Sequence, residues 1–224
     1  MDPGNTPAYT FRDAARAIGI PASTLRAWTV GQPYPRKDDV GFFVPVLRRP
    51  DAEDGRLSFF NLIEAHVLRA LRTVHDVNLG AIREALEIAE GQLGIQRLLL
   101  DPRLAASAGW LFLDRYTDLL ELSRSQQLAM RTILAQFLER VQYDETRLPA
   151  RFFPFERAPR NAGEKIILIT PFVSFGRPII TRTGVSTRAV AQRLDAGEPM
   201  ETVRSDYGLT DAEIEEAVLF EAAA

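Results

Sequence analysis

The chain is expected to fold as a mainly α protein with small β elements, and three observations lead there. Short apolar-periodic segments near the N-terminus are punctuated by Gly19 and Pro21. One broad amphipathic stretch runs from Ser125 to Val141, and three short segments at the C-terminus carry helix start or stop signals. A Pro-rich stretch with Pro149, Pro154 and Pro159 separates the last part from the rest. The organisation read from these signals is residues 1–96, an N-terminal helical domain with one long irregular insertion; 97–147, an α+β middle segment; 148–164, a Pro/Phe linker; and 165–224, a small helical domain of three helices.

Composition bounds the function. The 224 residues are 46% hydrophobic, enough to bury a real core. There are no cysteines, which excludes disulfides, thiol nucleophiles and Cys-ligated metals. The first residues lack the basic start and apolar stretch of a signal peptide. The longest apolar patches, such as Ile166-Ile167-Leu168-Ile169, are strand-sized, against the roughly 18–20 residues that cross a bilayer. A cytoplasmic location with no membrane partner is expected. The net charge is −3. The cations are almost all arginine, with Lys37 and Lys165 the only lysines, which suits bidentate pairing with phosphate or carboxylate.

The N-terminal segment holds the first binding candidate. Thr10 can cap a helix over Phe11–Ile18, in which Ala14, Ala15 and Ile18 share a face. Gly19 stops it, and Pro21 is placed to open a second helix over Ala22–Trp28. Leu25 and Trp28, three apart, face inward, leaving Ser23, Thr24 and Arg26 outward near the helix start. Helix, tight glycine turn and helix is the helix-turn-helix geometry, whose second helix offers hydroxyls and a guanidinium to a major groove. An ordinary αα-hairpin with solvated polar residues is the alternative.

The stretch Ala14-Ala15-Arg16-Ala17-Ile18-Gly19-Ile20-Pro21-Ala22-Ser23-Thr24-Leu25-Arg26-Ala27-Trp28 resembles the opening of a MerR-type winged helix-turn-helix. That resemblance implies DNA contacts at Thr24, Arg26 and Trp28, with Ser23 beside them. It places a wing where Arg36, Lys37, Arg48, Arg49 and Arg56 lie. Amphipathic helices over Phe60–Val74 and Leu79–Ala89 then follow. The insertion between Thr29 and Leu57 is longer than the usual wing of that family, and Arg56 is only adjacent to its wing arginine. Without cysteines, metal sensing is not implied.

Other polar groupings read as structural. Asp38-Asp39 and Asp51-Ala52-Glu53-Asp54, flanked by Gly41 and Gly55, are read as solvated loops rather than a cation site. His66 and His75 lack partners at metal-ligand spacing. No cofactor, metal or catalytic residue is expected, since no nucleophile elbow or phosphate-binding glycine loop occurs.

In the middle segment Arg97-Leu98-Leu99-Leu100 and Trp110–Leu113 read as short strands, with Tyr116–Leu122 continuing the sheet. The helix over Ser125–Val141 carries Met130, Ile133, Leu134, Phe137, Leu138 and Val141 as an apolar stripe. The stripe can bury against its own sheet, as core packing, or against a second copy of itself as a homodimer seam.

The last segment reads as two short strands within Lys165–Ile180, then helices from Ser186 or Thr187 to Leu194, from Pro199 to Tyr207, and from a Thr210 cap. The order is homeodomain-like. Yet the third helix carries Asp211, Glu213, Glu215, Glu216 and Glu221, which phosphates would repel. A protein partner is the better reading, with Glu213, Glu216 and Phe220 as candidate contacts. The motifs Ser174-Phe175-Gly176-Arg177-Pro178-Ile179-Ile180, Thr183-Gly184-Val185, Val190–Glu198 and Val203–Thr210 resemble the small domain of VapB-type antitoxins. Arg182 departs from that family's usual glycine. With the N-terminal segment and the Pro/Phe linker, the resemblance covers nearly the full length. It implies a DNA-binding antitoxin that binds double-stranded operator DNA, represses its own promoter and neutralises a PIN-like ribonuclease toxin by direct binding. A stand-alone transcriptional regulator without a toxin is the alternative.

Overall fold

The computed structural model describes residues 2–35, 39–73, 79–105 and 124–223. The chain forms two compact units interleaved in sequence. One comprises residues 1–22, 50–59 and 150–224, the other 23–49 and 60–149.

In the first unit, β1 (Pro7–Tyr9) pairs antiparallel with β4 (Leu57–Ser58), so the N-terminus is tied to a segment some fifty residues on. Helix α1 (Phe11–Ile18) starts where Thr10 accepts the Asp13 N–H at 3.1 Å and ends at Gly19, whose φ of 76° admits the left-handed cap. Its buried face is Phe11, Ala14, Ala15, Ala17 and Ile18. Strand β6 (Pro149–Phe152) precedes β7 (Ile167–Leu168) and β8 (Ile179–Ile180), and the last two form the expected antiparallel pair. Helices α6 (Thr187–Asp195), α7 (Met200–Tyr207) and α8 (Asp211–Ala222) follow. Thr210 and Glu213 close a reciprocal capping box at the start of α8. Ile180, Val190, Val203, Leu209, Ile214 and Ala217 form the core between these helices and β8. The Pro/Phe stretch packs down: Phe152 exchanges backbone hydrogen bonds of 2.9 and 2.8 Å with Ile169, and Phe153 is buried against Leu168 and Ile179.

The second unit is built around α3 (Phe59–Thr73). From Leu62 to Leu71 this helix buries Leu62, Ile63, Ala65, Val67, Leu68, Ala70 and Leu71, which makes it a core helix rather than a one-sided amphipath. Helix α4 (Leu79–Leu93) presents Ile82, Ala85, Leu86 and Ala89 inward, and α5 (Arg124–Leu138) presents Met130, Leu134, Phe137 and Leu138. His66 lies buried on α3 with Nε2 2.9 Å from the Phe137 carbonyl oxygen and its ring 4.7 Å from the Phe137 ring.

Three local expectations change. The insertion after Thr29 is not wholly irregular: β2 (Gln32–Pro35) and β3 (Val40–Phe43) pair in register from Gln32–Phe43 to Pro35–Val40. Residues 97–100 are not a strand. Arg97 takes φ 56°, and Leu98–Leu100 coil into a 3-10 turn that buries all three leucines, whereas a strand would alternate them between faces. Helix α5 stops at Leu138, and Val141 begins β5 (Val141–Tyr143). The expected strands at Trp110–Leu113 and Tyr116–Leu122 lie outside the described residues, as does His75.

Candidate nucleic-acid interface

Helix α2 (Ala22–Val30) carries the outward edge anticipated from the sequence. Ser23 and Arg26 are exposed, Thr24 is half-buried, and Leu25 and Trp28 point into the unit. The periodicity explains the split, because positions 25, 28 and 29 share one side of a 3.6-residue helix. Thr29 donates its hydroxyl to the Leu25 carbonyl at 2.8 Å, satisfying a polar group that is 4% exposed.

Trp28 is 2% exposed, and this corrects its assignment as a DNA contact. Its carbonyl oxygen accepts the N–H groups of Val46 and Leu47, both at 2.9 Å. The Arg72 guanidinium lies 5.9 Å from its ring centroid. The tryptophan therefore fastens the end of α2 to the segment leaving the hairpin, and its bulk leaves no ring surface for a duplex.

Between these points stands the β2–β3 hairpin. Gly31 opens it at φ 85°, and a Cβ there would meet the Phe43 carbonyl oxygen at 2.3 Å, so only glycine permits the approach. Arg83 of α4 lies 5.4 Å from the Phe43 ring centroid and donates to the Val44 carbonyl. The hairpin's outer side exposes Val40 and Phe42, with Val44 just beyond. Arg36 and Lys37, between its strands, lie outside the described residues.

Arg48 is exposed and Arg49 half-buried on the segment that returns to α3. The Arg48 main chain is held from below. Asn61, fully buried on α3, donates Nδ2 to the Arg48 carbonyl at 2.8 Å and to Glu64 Oε2 at 3.0 Å. Arg97 closes the network on Glu64 with two bonds of 2.7 and 2.8 Å, a fork-to-carboxylate geometry. Sequence reading missed this support. Its local sign was an Asn–Glu pair three residues apart on a helix whose neighbours are mostly apolar. Arg56 belongs to the other unit, where Asp54 grips it through contacts of 3.0 and 2.7 Å.

The three residues expected to meet a protein partner are structural, which is a second correction. Glu216 is 1% exposed and accepts the backbone N–H groups of Arg157 and Ala158, the latter at 3.1 Å. Phe220 is 1% exposed and fills the core of the first unit. Glu213 is 7% exposed, caps α8 and receives Arg182 through bonds of 3.0 and 2.7 Å. Burial raises the Glu213 pKa, but the Arg182 guanidinium and the Thr210 N–H outweigh it and hold the carboxyl below the ordinary glutamate value. The acidic face of α8 thus binds its own chain. Arg182, where the resemblance leads one to expect glycine, provides a partner for Glu213.

With this geometry in place, similarity to known proteins adds two matched segments. Residues 7–86 match a family described as "Putative DNA-binding HTH domain", and residues 167–220 match "Protein of unknown function (DUF433)". The chain is 26% identical to "Putative antitoxin VapB45" of Mycobacterium tuberculosis, over 96% of this chain and 93% of that one. It is 24% identical to the uncharacterized protein Rv2308 of the same organism, over 94% and 88%. The crystal structure of Rv2018 from that organism shares the fold, with a TM-score of 0.69 at 22% identity over 95% of this chain and 98% of the other. The protein is mainly helical with small antiparallel sheets and has an N-terminal domain of the helix-turn-helix type. Among the described residues no helix is long and apolar enough to cross a membrane, and no cluster of candidate metal ligands occurs.

Proposed function

We propose that this protein is a DNA-binding antitoxin. It binds double-stranded operator DNA through the outward edge of α2, represses its own promoter, and neutralises a PIN-like ribonuclease toxin by direct binding. One observation carries the reading. The chain that places Ser23 and Arg26 outward on the second helix of a helix-turn-helix match is similar, along nearly its whole length, to a protein named as an antitoxin.

In this reading the head is of the MerR type. Ser23, Thr24 and Arg26 meet the duplex, and Arg36, Lys37, Arg48 and Arg49 supply phosphate contacts around the wing. Phosphate contacts set register while groove contacts read sequence. The exposed edge of α2 is short, so one copy reads a short half-site, and a homodimer spans two. Toxin inhibition is stoichiometric occlusion with no chemical step.

The test is fluorescence anisotropy with duplex DNA from upstream of the gene, at several salt concentrations. Arg26→Ala should weaken binding and lower the slope of log K against log salt by about one, as loss of one phosphate contact does. Unchanged affinity and slope would remove Arg26 from the interface. Co-expression with the adjacent reading frame tests the toxin, with a stoichiometric complex and restored growth as the expected result. Growth inhibition that the protein does not relieve leaves a stand-alone regulator.

A further inference from the structure

The first unit contains a cleft of about 900 Å³ that the reading above does not use. Among the residues lining it are Tyr9, Arg12, Phe175, Arg177, Arg188 and Asp195, all within the first unit. The volume falls within the range of small-molecule sites.

Charge narrows the ligand. Arg16 and Arg56 also line the cleft but are bound to Glu221 and Asp54. Arg12, Arg177 and Arg188 are exposed, and none pairs with a carboxylate among the described residues. Against Asp13 and Asp195 on the same lining these three guanidiniums leave the cleft net positive, and a phosphate monoester offers them about −1.5 to −2 of charge and three acceptor oxygens. Arginine is also the side chain suited to forked contacts with phosphate.

Two further features point to a ligand. The Tyr9 side chain is 6% exposed, and its buried hydroxyl has no hydrogen-bond partner; such groups normally find one. Gly176, at φ 79°, lies so close that a Cβ would stand 2.2 Å from that hydroxyl. Beside it, Ser174 and Phe175 both adopt left-handed backbone, at φ 52° and 55°. Consecutive non-glycine residues rarely take up that conformation. It holds the Phe175 ring 91% exposed at the mouth of the cleft. A flat apolar ring beside free guanidiniums suits a base attached to a phosphate.

We propose that this cleft binds a small nucleoside phosphate. Arg12, Arg177 and Arg188 take the phosphate, the Tyr9 hydroxyl donates to a polar atom of the ligand, and Phe175 stacks on the base. Asp195 accepts from sugar hydroxyls or base amino groups. The site is independent of operator binding and is measured without DNA or toxin.

Isothermal titration of the full chain with AMP, ADP and GMP, and with inorganic phosphate as the comparison, tests this. One-site saturable binding of a nucleotide is expected, tighter than inorganic phosphate by about tenfold or more, a typical gain from aromatic stacking. The double variant Arg177→Gln/Arg188→Gln, at exposed positions, should lose about a hundredfold, since each charge-assisted contact accounts for about tenfold. Tyr9→Phe should weaken binding several-fold at unchanged melting temperature. Any of four results overturns the proposal: no nucleotide binding up to millimolar concentration, phosphate binding as tightly as the nucleotides, undiminished affinity in the double variant, or displacement of the nucleotide by duplex DNA.

Discussion

Asn61 donates its side-chain amide to the backbone carbonyl of Arg48 across 2.8 Å, from a position with no solvent exposure. A buried side chain thus sets the height of the chain at an exposed arginine. Asn61→Ala removes that bond and one to Glu64, so the Arg48 carbonyl loses its side-chain donor while Glu64 keeps Arg97. It should cost about 1–3 kcal/mol, read as a lower urea midpoint. DNA affinity should also fall at temperatures where the variant is fully folded. A variant that loses stability but binds DNA as the parent does would separate the network from the interface.

Gly31→Ala should damage the hairpin more than its size suggests. The left-handed φ of 85° costs a non-glycine residue about 1 kcal/mol, and the new methyl would face the Phe43 carbonyl at 2.3 Å. Hydrogen exchange should show lost protection across Gln32–Phe43, while the amides of α6, α7 and α8 stay unchanged.

His66 makes the second unit sensitive to mild acid. Burial, opposed by the bond to the Phe137 carbonyl and reinforced by Arg69 and Arg140, lowers its pKa to about 3. The folded imidazole stays neutral while the unfolded one takes up a proton below about pH 6.5. The unfolded state therefore binds more protons, and stability falls as pH drops from about 6.5 towards 3. At pH 5 the loss is about 2 kcal/mol. Melting curves between pH 7 and 5 should show it, and His66→Gln should flatten that dependence.

Glu216→Ala strips the acceptor from the Arg157 and Ala158 amides and should cost about 2–3 kcal/mol. Thermal melts should register the change. If the variant instead kept full stability and lost only a partner, α8 would be a docking surface after all.

What the sequence disclosed follows from how local each signal was. Thr10 and Gly19 bracket α1, and Thr210 with Glu213 opens α8, because caps are satisfied within a turn of the residues that make them. The outward placement of Ser23 and Arg26 came from the same local period. Leu98-Leu99-Leu100 misled because a short apolar run has no period to distinguish a strand from a buried turn. Glu213 and Glu216 misled because carboxylates usually face water. Their spacing with Ala217 and Phe220 put them on the buried face, but the Arg182 and Ala158 groups that receive them lie 31 and 58 residues away. Nothing near Asn61 announced a tie to Arg48 thirteen residues earlier.

The first unit closes through bonds between its ends. Arg16 of α1 is bound to Glu221 of α8, and Arg157 donates to the Arg16 carbonyl at 2.5 Å. On the ribosome, α1 must therefore wait until Glu221, 205 residues further on, is made before this partner emerges. Cleavage that removed α8 would leave the Arg16 side chain of α1 without its carboxylate partner, so damage at one helix is felt at another some two hundred residues away.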